Sequence, residues 1–108
     1  MSSVSTHVLD TALGKPAAGV ALALFTASGT EVARARTDAD GRVGELLPDL
    51  PVTGDFWLVF ATGAYFTGTG RTGFYPEVTI SFSITEPDEH YHVPLLLSPY
   101  AYSTYRGS

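Results

Sequence analysis

The 108-residue chain contains no cysteine, which excludes disulfide scaffolds, thiolate metal sites and thiol nucleophiles together. It is also poor in charge. Asp, Glu, Lys and Arg make up 16% of the residues, below the roughly 25% common in globular domains. Positive charge is the scarcer sign: six Lys+Arg stand against eleven Asp+Glu, a net charge of −5. A nucleic-acid partner, which calls for a basic stripe, is not expected. No apolar run approaches the roughly 20 residues of a membrane span, so no membrane partner is expected either. The first six residues, Met1 to Thr6, hold neither a basic region nor an apolar stretch. They do not read as a secretory signal, and a cytoplasmic location is the expectation. There is no phosphate loop, no dinucleotide fingerprint and no G-x-S-x-G elbow, so no cofactor is expected.

What the chain does have is apolar and strand-forming. Hydrophobic residues reach 44%, with six Phe, six Tyr and one Trp, and eleven Gly and seven Pro punctuate the sequence. Such spacing predicts many short strands joined by turns, packed as one domain over residues 1–108. Strands are expected at Ser5–Asp10, Val20–Thr26, Glu31–Thr37, Phe56–Ala61, Val78–Ile84, Tyr91–Leu97 and Tyr100–Tyr105. Ser5, His7 and Leu9 fall on one face of the first strand, and Thr6, Val8 and Asp10 on the other. Val78, Ile80, Phe82 and Ile84 alternate cleanly with polar residues. Gly14-Lys15-Pro16 reads as a break and Thr37–Arg42, TDADGR, as an Asp/Gly turn. Leu46–Gly54, with two prolines, reads as a loop holding at most one short strand. A short helix at Thr62–Thr67 is compatible with the pattern despite poor propensity. The sum is an all-β protein: an antiparallel two-sheet sandwich of seven to eight strands with one short helix.

Chemistry concentrates in a few residues. His90 and His92 lie two apart on a predicted strand and so share a face, roughly 7 Å apart. His7 is the third histidine. A metal site needs three or four converging ligands, and no carboxylate is obviously placed with these, so no metal is expected. By spacing alone, His90 is a solvated turn residue and His92 a hydrogen-bonded strand residue. Asp38, Asp40 and Gly41 lack the remaining positions of a calcium loop and fit a turn better. The segment Ala101–Ser108 is aromatic and ends in Arg106-Gly107-Ser108. Residue chemistry leaves open whether it is a functional tail or a last strand with a solvated end.

Two segments carry a resemblance. One is His7-Val8-Leu9-Asp10 followed by Gly14-Lys15-Pro16-Ala17. The other is His90-Tyr91-His92-Val93-Pro94-Leu95-Leu96-Leu97-Ser98-Pro99-Tyr100, running into Tyr102-Ser103-Thr104-Tyr105-Arg106-Gly107-Ser108. TDADGR and Phe74-Tyr75-Pro76-Glu77-Val78 lie between them. On these residues the chain resembles the transthyretin-like 5-hydroxyisourate hydrolases over essentially its whole length. The carrier transthyretin differs from it at the Tyr-Arg-Gly-Ser tail and at His7, Arg42 and His92, where it has Lys, Glu and Thr. Ala101 and Leu22 depart from the usual pattern without touching the chemistry. Gly68–Gly73 is looser than the helical segment usual there.

The resemblance implies a homotetramer, a dimer of dimers, with active sites in a central channel. It implies hydrolysis of a cyclic amide of 5-hydroxyisourate, on the route from urate to allantoin. His7 and His92 would activate water, with the choice of base open, and Arg42 would hold a substrate carbonyl. Arg106 and Ser108 would close the pocket, Tyr105 would pack on the planar substrate, and His90 would orient its neighbours or touch substrate. Ser108 could instead orient a histidine or pair with an arginine. The main rival is a non-catalytic transthyretin-type binder of a small aromatic ligand. A structural β-sandwich accounts for the strands but not for the histidines and arginines.

Overall fold

Strands in this chain form where apolar residues alternate, and each such face finds a partner across one interior. The computed structural model describes residues 2–50 and 53–108. Their elements are β1 (Ser2–Asp10), β2 (Lys15–Pro16), β3 (Ala21–Thr26), β4 (Glu31–Arg36), β5 (Arg42–Leu50) and β6 (Gly54–Phe60). Helix α1 (Thr62–Gly68), β7 (Val78–Ile84), β8 (His90–Ser98) and β9 (Ala101–Thr104) complete them. One sheet has the order β2-β1-β8-β9 with β5 also paired to β1; the other runs β4-β3-β6-β7. The expected two-sheet sandwich with one short helix is borne out.

The core lies between the sheets. Leu22 and Leu24 of β3, Phe56, Leu58 and Phe60 of β6, and Val4 and Val8 of β1 are buried there. Tyr91, Val93, Leu95 and Leu97 of β8 face them. Period-two alternation sends the intervening residues of each strand outward.

Three features differ from expectation. The β1–β8 pairing is parallel, from Ser3↔His90 to Asp10↔Leu97; the other pairings are antiparallel. A parallel pair needs a long crossover, and here everything between Thr11 and Glu89 supplies it. Lys15–Pro16, expected as a break, makes a two-residue pairing with Leu9 and Asp10. Much of the expected loop at Leu46–Gly54 is strand: β5 runs to Leu50, and β6 starts at Gly54, while residues 51 and 52 lie outside the described residues. Proline is tolerated because β5 is an edge strand with irregular register against β1, where a missing N–H costs little.

Helix α1 has weak intrinsic propensity, with two glycines and two threonines in seven residues. Tertiary contacts hold it. The Asp10 carboxylate is fully buried, 0% exposed, and receives the Arg71 Nη2 at 2.6 Å. It also accepts the Tyr65 hydroxyl at 2.7 Å and the Leu13 backbone N–H at 3.1 Å. The Arg71 guanidinium stacks over the Phe66 ring at 5.0 Å. Burial alone pushes the Asp10 carboxyl up, but its hydrogen bonds from Arg71, Tyr65 and Leu13 and the Arg71 charge outweigh that, leaving it below 3.8.

Arg71→Met should therefore cost about 2–3 kcal/mol in urea denaturation at pH 7, because it leaves a buried carboxylate without its cation. The sign with pH is fixed by the lowered folded value. The pair's contribution is present above the unfolded pKa near 3.9 and is lost as pH falls through the folded value below 3.8. The gap between wild type and variant should shrink on acidification; a gap constant from pH 7 to pH 3 would rule this account out.

Candidate active site

The parallel register places Ser3 opposite His90, Ser5 opposite His92 and His7 opposite Pro94. On the other side of β1, Arg42 of β5 is the partner of His7. Residues paired across a sheet share a face, so Ser3, Ser5, His7, Arg42, His90 and His92 gather on the outward face of the five-stranded sheet. Val4, Thr6 and Val8 point the other way and are buried.

The turn expected at Thr37–Arg42 aims Arg42. The Asp38 Oδ1 accepts the backbone N–H groups of Asp40 and Arg42, each at 2.9 Å. Gly41 takes φ +75° and runs so close to β1 that a Cβ there would strike the Val8 carbonyl oxygen. Only glycine meets both conditions. The same turn presents the Asp40 carbonyl to His7 Nε2 at 3.0 Å. A carbonyl only accepts, so His7 Nε2 carries the hydrogen and the lone pair of the neutral ring is on Nδ1.

Ser5 stands between the other two rings. Its Oγ lies 2.7 Å from His90 Nε2 and 2.7 Å from His92 Nδ1. His90 Nδ1 in turn meets Ser3 Oγ. Ser5, Arg42, His90, His92 and Ser108, with Thr6, Val43 and Gly44, line a hollow of about 210 Å³. Arg42 is exposed, and its guanidinium has no ion-pair partner among the described residues. Burial, and then the charges of Arg42, His90 and His7, push the His92 pKa below its ordinary 6.5. At neutral pH His92 is an uncharged ring able to take a proton.

The tail closes one side. The Gly107 N–H donates to the His92 carbonyl at 2.8 Å, forming a single bridge with β8. A Cβ on Gly107 would run into the His92 ring, so glycine allows the chain to lie flat there. Arg106 points elsewhere: its Nη2 is 2.9 Å from Glu89 Oε2 and its guanidinium lies 4.5 Å over the Tyr91 ring. Tyr105 is 57% exposed. Tyr105 and Arg106 line a second hollow of about 310 Å³ that includes Ile80 and Phe82. Among the sequence-predicted residues, His90, His92, Arg42 and Ser108 therefore share one hollow, with His7 beside Arg42 in the sheet. Tyr105 and Arg106 lie around the second hollow, which shares only His92 with the first.

Among the described residues, no three or more His, Asp or Glu side chains group as metal ligands. A wider hollow of about 530 Å³ lies on the β3–β4 sheet, lined by Ala21, Phe25, Arg34 and Arg36 among others. It holds no histidine, and Arg34 there is paired with Glu31. Chemistry, not size, selects the smaller hollow. Sequence reasoning gave Ser5 and Ser3 no role. The available signal was alternation, which places Ser5 on the His7 face.

A two-sheet sandwich with a His/Arg hollow on its outer face defines a class of protein, and the comparisons locate this chain within it. The HIUase/Transthyretin family model matches residues 4–107, and the chain belongs to that family. A 5-hydroxyisourate hydrolase of Salmonella dublin is 45% identical over 97% of this chain and 80% of that protein. The solved Klebsiella pneumoniae 5-hydroxyisourate hydrolase superposes with a TM-score of 0.91 at 38% identity, covering 100% of this chain and 94% of that one. Sea bream transthyretin in complex with thyroxine gives 0.87 at 35% identity, covering 97% and 94%. The expectation of an enzyme of the hydrolase class is borne out by the first two.

The lowered His92 value has a direct check. In an NMR titration the His92 ring should show a midpoint below 6.5, and Arg42→Gln should raise it by removing a nearby cation. A His92 midpoint that is unchanged in the variant would separate the two residues electrostatically.

Proposed function

We propose that the protein hydrolyses 5-hydroxyisourate to 2-oxo-4-hydroxy-4-carboxy-5-ureidoimidazoline. The observation that carries this reading is a half-buried histidine and a guanidinium without an ion-pair partner among the described residues meeting in one hollow, beside a second histidine held by its Nε2–H. Opening a cyclic amide requires three things: an activated water, a counter-charge for the developing oxyanion, and a proton for the departing ring nitrogen.

His92 Nδ1 is engaged by Ser5, so Nε2 is the ring atom available to a water. It takes a proton as the water oxygen bonds to the carbonyl carbon. The Arg42 guanidinium meets the negative charge that grows on the carbonyl oxygen. When the C–N bond breaks, its electron pair stays on nitrogen, which recovers the proton from the imidazolium. His7, with its lone pair on Nδ1, orients the substrate or the water. Ser108 and His90 bound the hollow, and Tyr105 and Arg106 flank the neighbouring hollow that shares His92 with it.

The hollow is small for a ring substrate, since ligand pockets commonly span about 300–1,000 Å³. The face around it carries Leu9, Pro94 and Leu96, which are only partly or hardly exposed. A second such face laid against this one would deepen it. We therefore read the working form as a homotetramer, a dimer of dimers with the sites in its channel. Among the described residues no helix is long and apolar enough to cross a membrane, and the cytoplasm is the proposed location.

Freshly generated 5-hydroxyisourate, followed by ultraviolet absorbance, tests the reading against a carrier that binds without turnover. Wild type should accelerate decay, and His92→Asn should lose a factor on the order of 100 or more; near wild-type turnover in that variant would remove His92 from the mechanism. Deleting residues 105–108 should abolish hydrolysis while circular dichroism still reports the sandwich, because the tail adds no core residue. Full activity in the truncated chain would show that the tail is dispensable.

A further inference from the structure

His92 can serve as base only if its Nε2 holds a lone pair, and the chain of hydrogen bonds behind it decides this. The links run Ser3 Oγ to His90 Nδ1, His90 Nε2 to Ser5 Oγ at 2.7 Å, and Ser5 Oγ to His92 Nδ1 at 2.7 Å. A neutral imidazole has one N–H and one lone pair, and a hydroxyl has one hydrogen to give. With both rings neutral, every link made and the single Ser5 hydrogen used within the chain, where its two hydroxyl contacts lie, two settings remain. In one, Ser3 donates to His90, His90 to Ser5 and Ser5 to His92, which leaves the hydrogen of His92 on Nε2. In the other, every donor reverses. His92 Nδ1–H then donates to Ser5, Ser5 to His90 Nε2, and His90 Nδ1–H to Ser3, which frees the lone pair at Nε2. The Arg42 charge lines the same hollow and favours a lone pair facing it over an N–H.

We propose that Ser5 is a positioning residue: it holds His92 in the Nδ1–H tautomer, and His90 fixes the direction of the Ser5 hydroxyl. This rests on the hydrolase reading above for its role in turnover, but the tautomer itself does not. Ser5 does what a buried carboxylate does behind other catalytic histidines, with a neutral oxygen whose acceptor character is set by the next ring. The groups facing His92 are Arg42 from β5, His7 from β1, His90 on β8, and Gly107 and Ser108 from the tail. None of the hydrogen bonds found for them occupies His92 Nδ1, so among the described residues Ser5 alone holds that atom. Ser5 is 7% exposed, and its oxygen is already bonded on two sides, a poor arrangement for attack on a substrate.

The test uses the full chain labelled with ¹⁵N at histidine, with ring tautomers read from nitrogen shifts at neutral pH. Wild-type His92 should carry its hydrogen on Nδ1, and Ser5→Ala should move it toward Nε2. His90→Phe, at an exposed position, should give the same movement and serves if the alanine variant does not fold. A wild-type His92 protonated on Nε2, or one unmoved by either change, would overturn the proposal.

With 5-hydroxyisourate, Ser5→Ala should lower kcat roughly 10- to 100-fold with KM within about twofold, and Ser5→Thr should recover most of the loss. The Ser5→Ala/His90→Phe double variant should be no slower than Ser5→Ala, since both act through one link. Losses that multiply would overturn the coupling, and an acyl group on Ser5 in a quenched mass spectrum would make it the nucleophile instead. A wild type without hydrolysis would defeat the hydrolase reading, while the tautomer measurement would still decide the role of Ser5.

Discussion

The eight-pair parallel register between β1 and β8 is the constraint on which the rest depends. It sets Ser3 by His90 and Ser5 by His92, and it sends Val4, Thr6 and Val8 inward against Tyr91 and Val93. A slip of one residue would exchange the faces of β1, placing its apolar residues in solvent and the histidine in the core. Packing and chemistry are therefore specified by the same choice. The buried alternation on both strands makes that choice strongly determined, so the site inherits its precision from the core.

Around this pairing the remaining elements have distinct tasks. The Asp38 turn and Gly41 hold Arg42 opposite His7. The Asp10–Arg71–Tyr65 cluster ties the far end of β1 to a helix that would not stand alone. Gly107 lays the tail against the His92 ring. Positive charge is scarce in the chain, and its arginines divide accordingly: Arg71 is spent on a buried carboxylate, Arg106 on Glu89 and Tyr91, Arg34 on Glu31. Arg36 donates to the Gly19 carbonyl, and Arg42, without an ion-pair partner among the described residues, lines the hollow.

Much of this was legible in the residues. Alternation alone identified the faces of β1 and β7, the common face of Ser5 and His7 among them, and the shared face of His90 and His92 on β8, because burial in a sandwich imposes a period of two. The Asp/Gly turn was legible because Asp38 and Gly41 are used for their local chemistry. The extent of β5 was not, since Pro48 argues against a strand unless its edge position is known, and edge position is a tertiary fact. Parallel pairing of the first and eighth strands leaves no local trace either. The roles of His7, Arg42 and His92 came from resemblance to a family, whereas the Ser5 bridge depends on distances between rings that spacing along one strand cannot supply.

The two sides of the hollow are joined late in the life of the chain. Ser5 and His92 are 87 residues apart in sequence, and no shorter-range contact can stand in for their pairing. As the polypeptide emerges during synthesis, β1 has an apolar face and an unsatisfied edge long before β8 exists to cover them. Closing so long a loop makes non-local pairing intrinsically slow, and an open strand edge invites pairing with other chains meanwhile. Appearance of a functional site therefore reports completion of the whole sandwich, and a chain that stops before β8 lacks both His90 and His92.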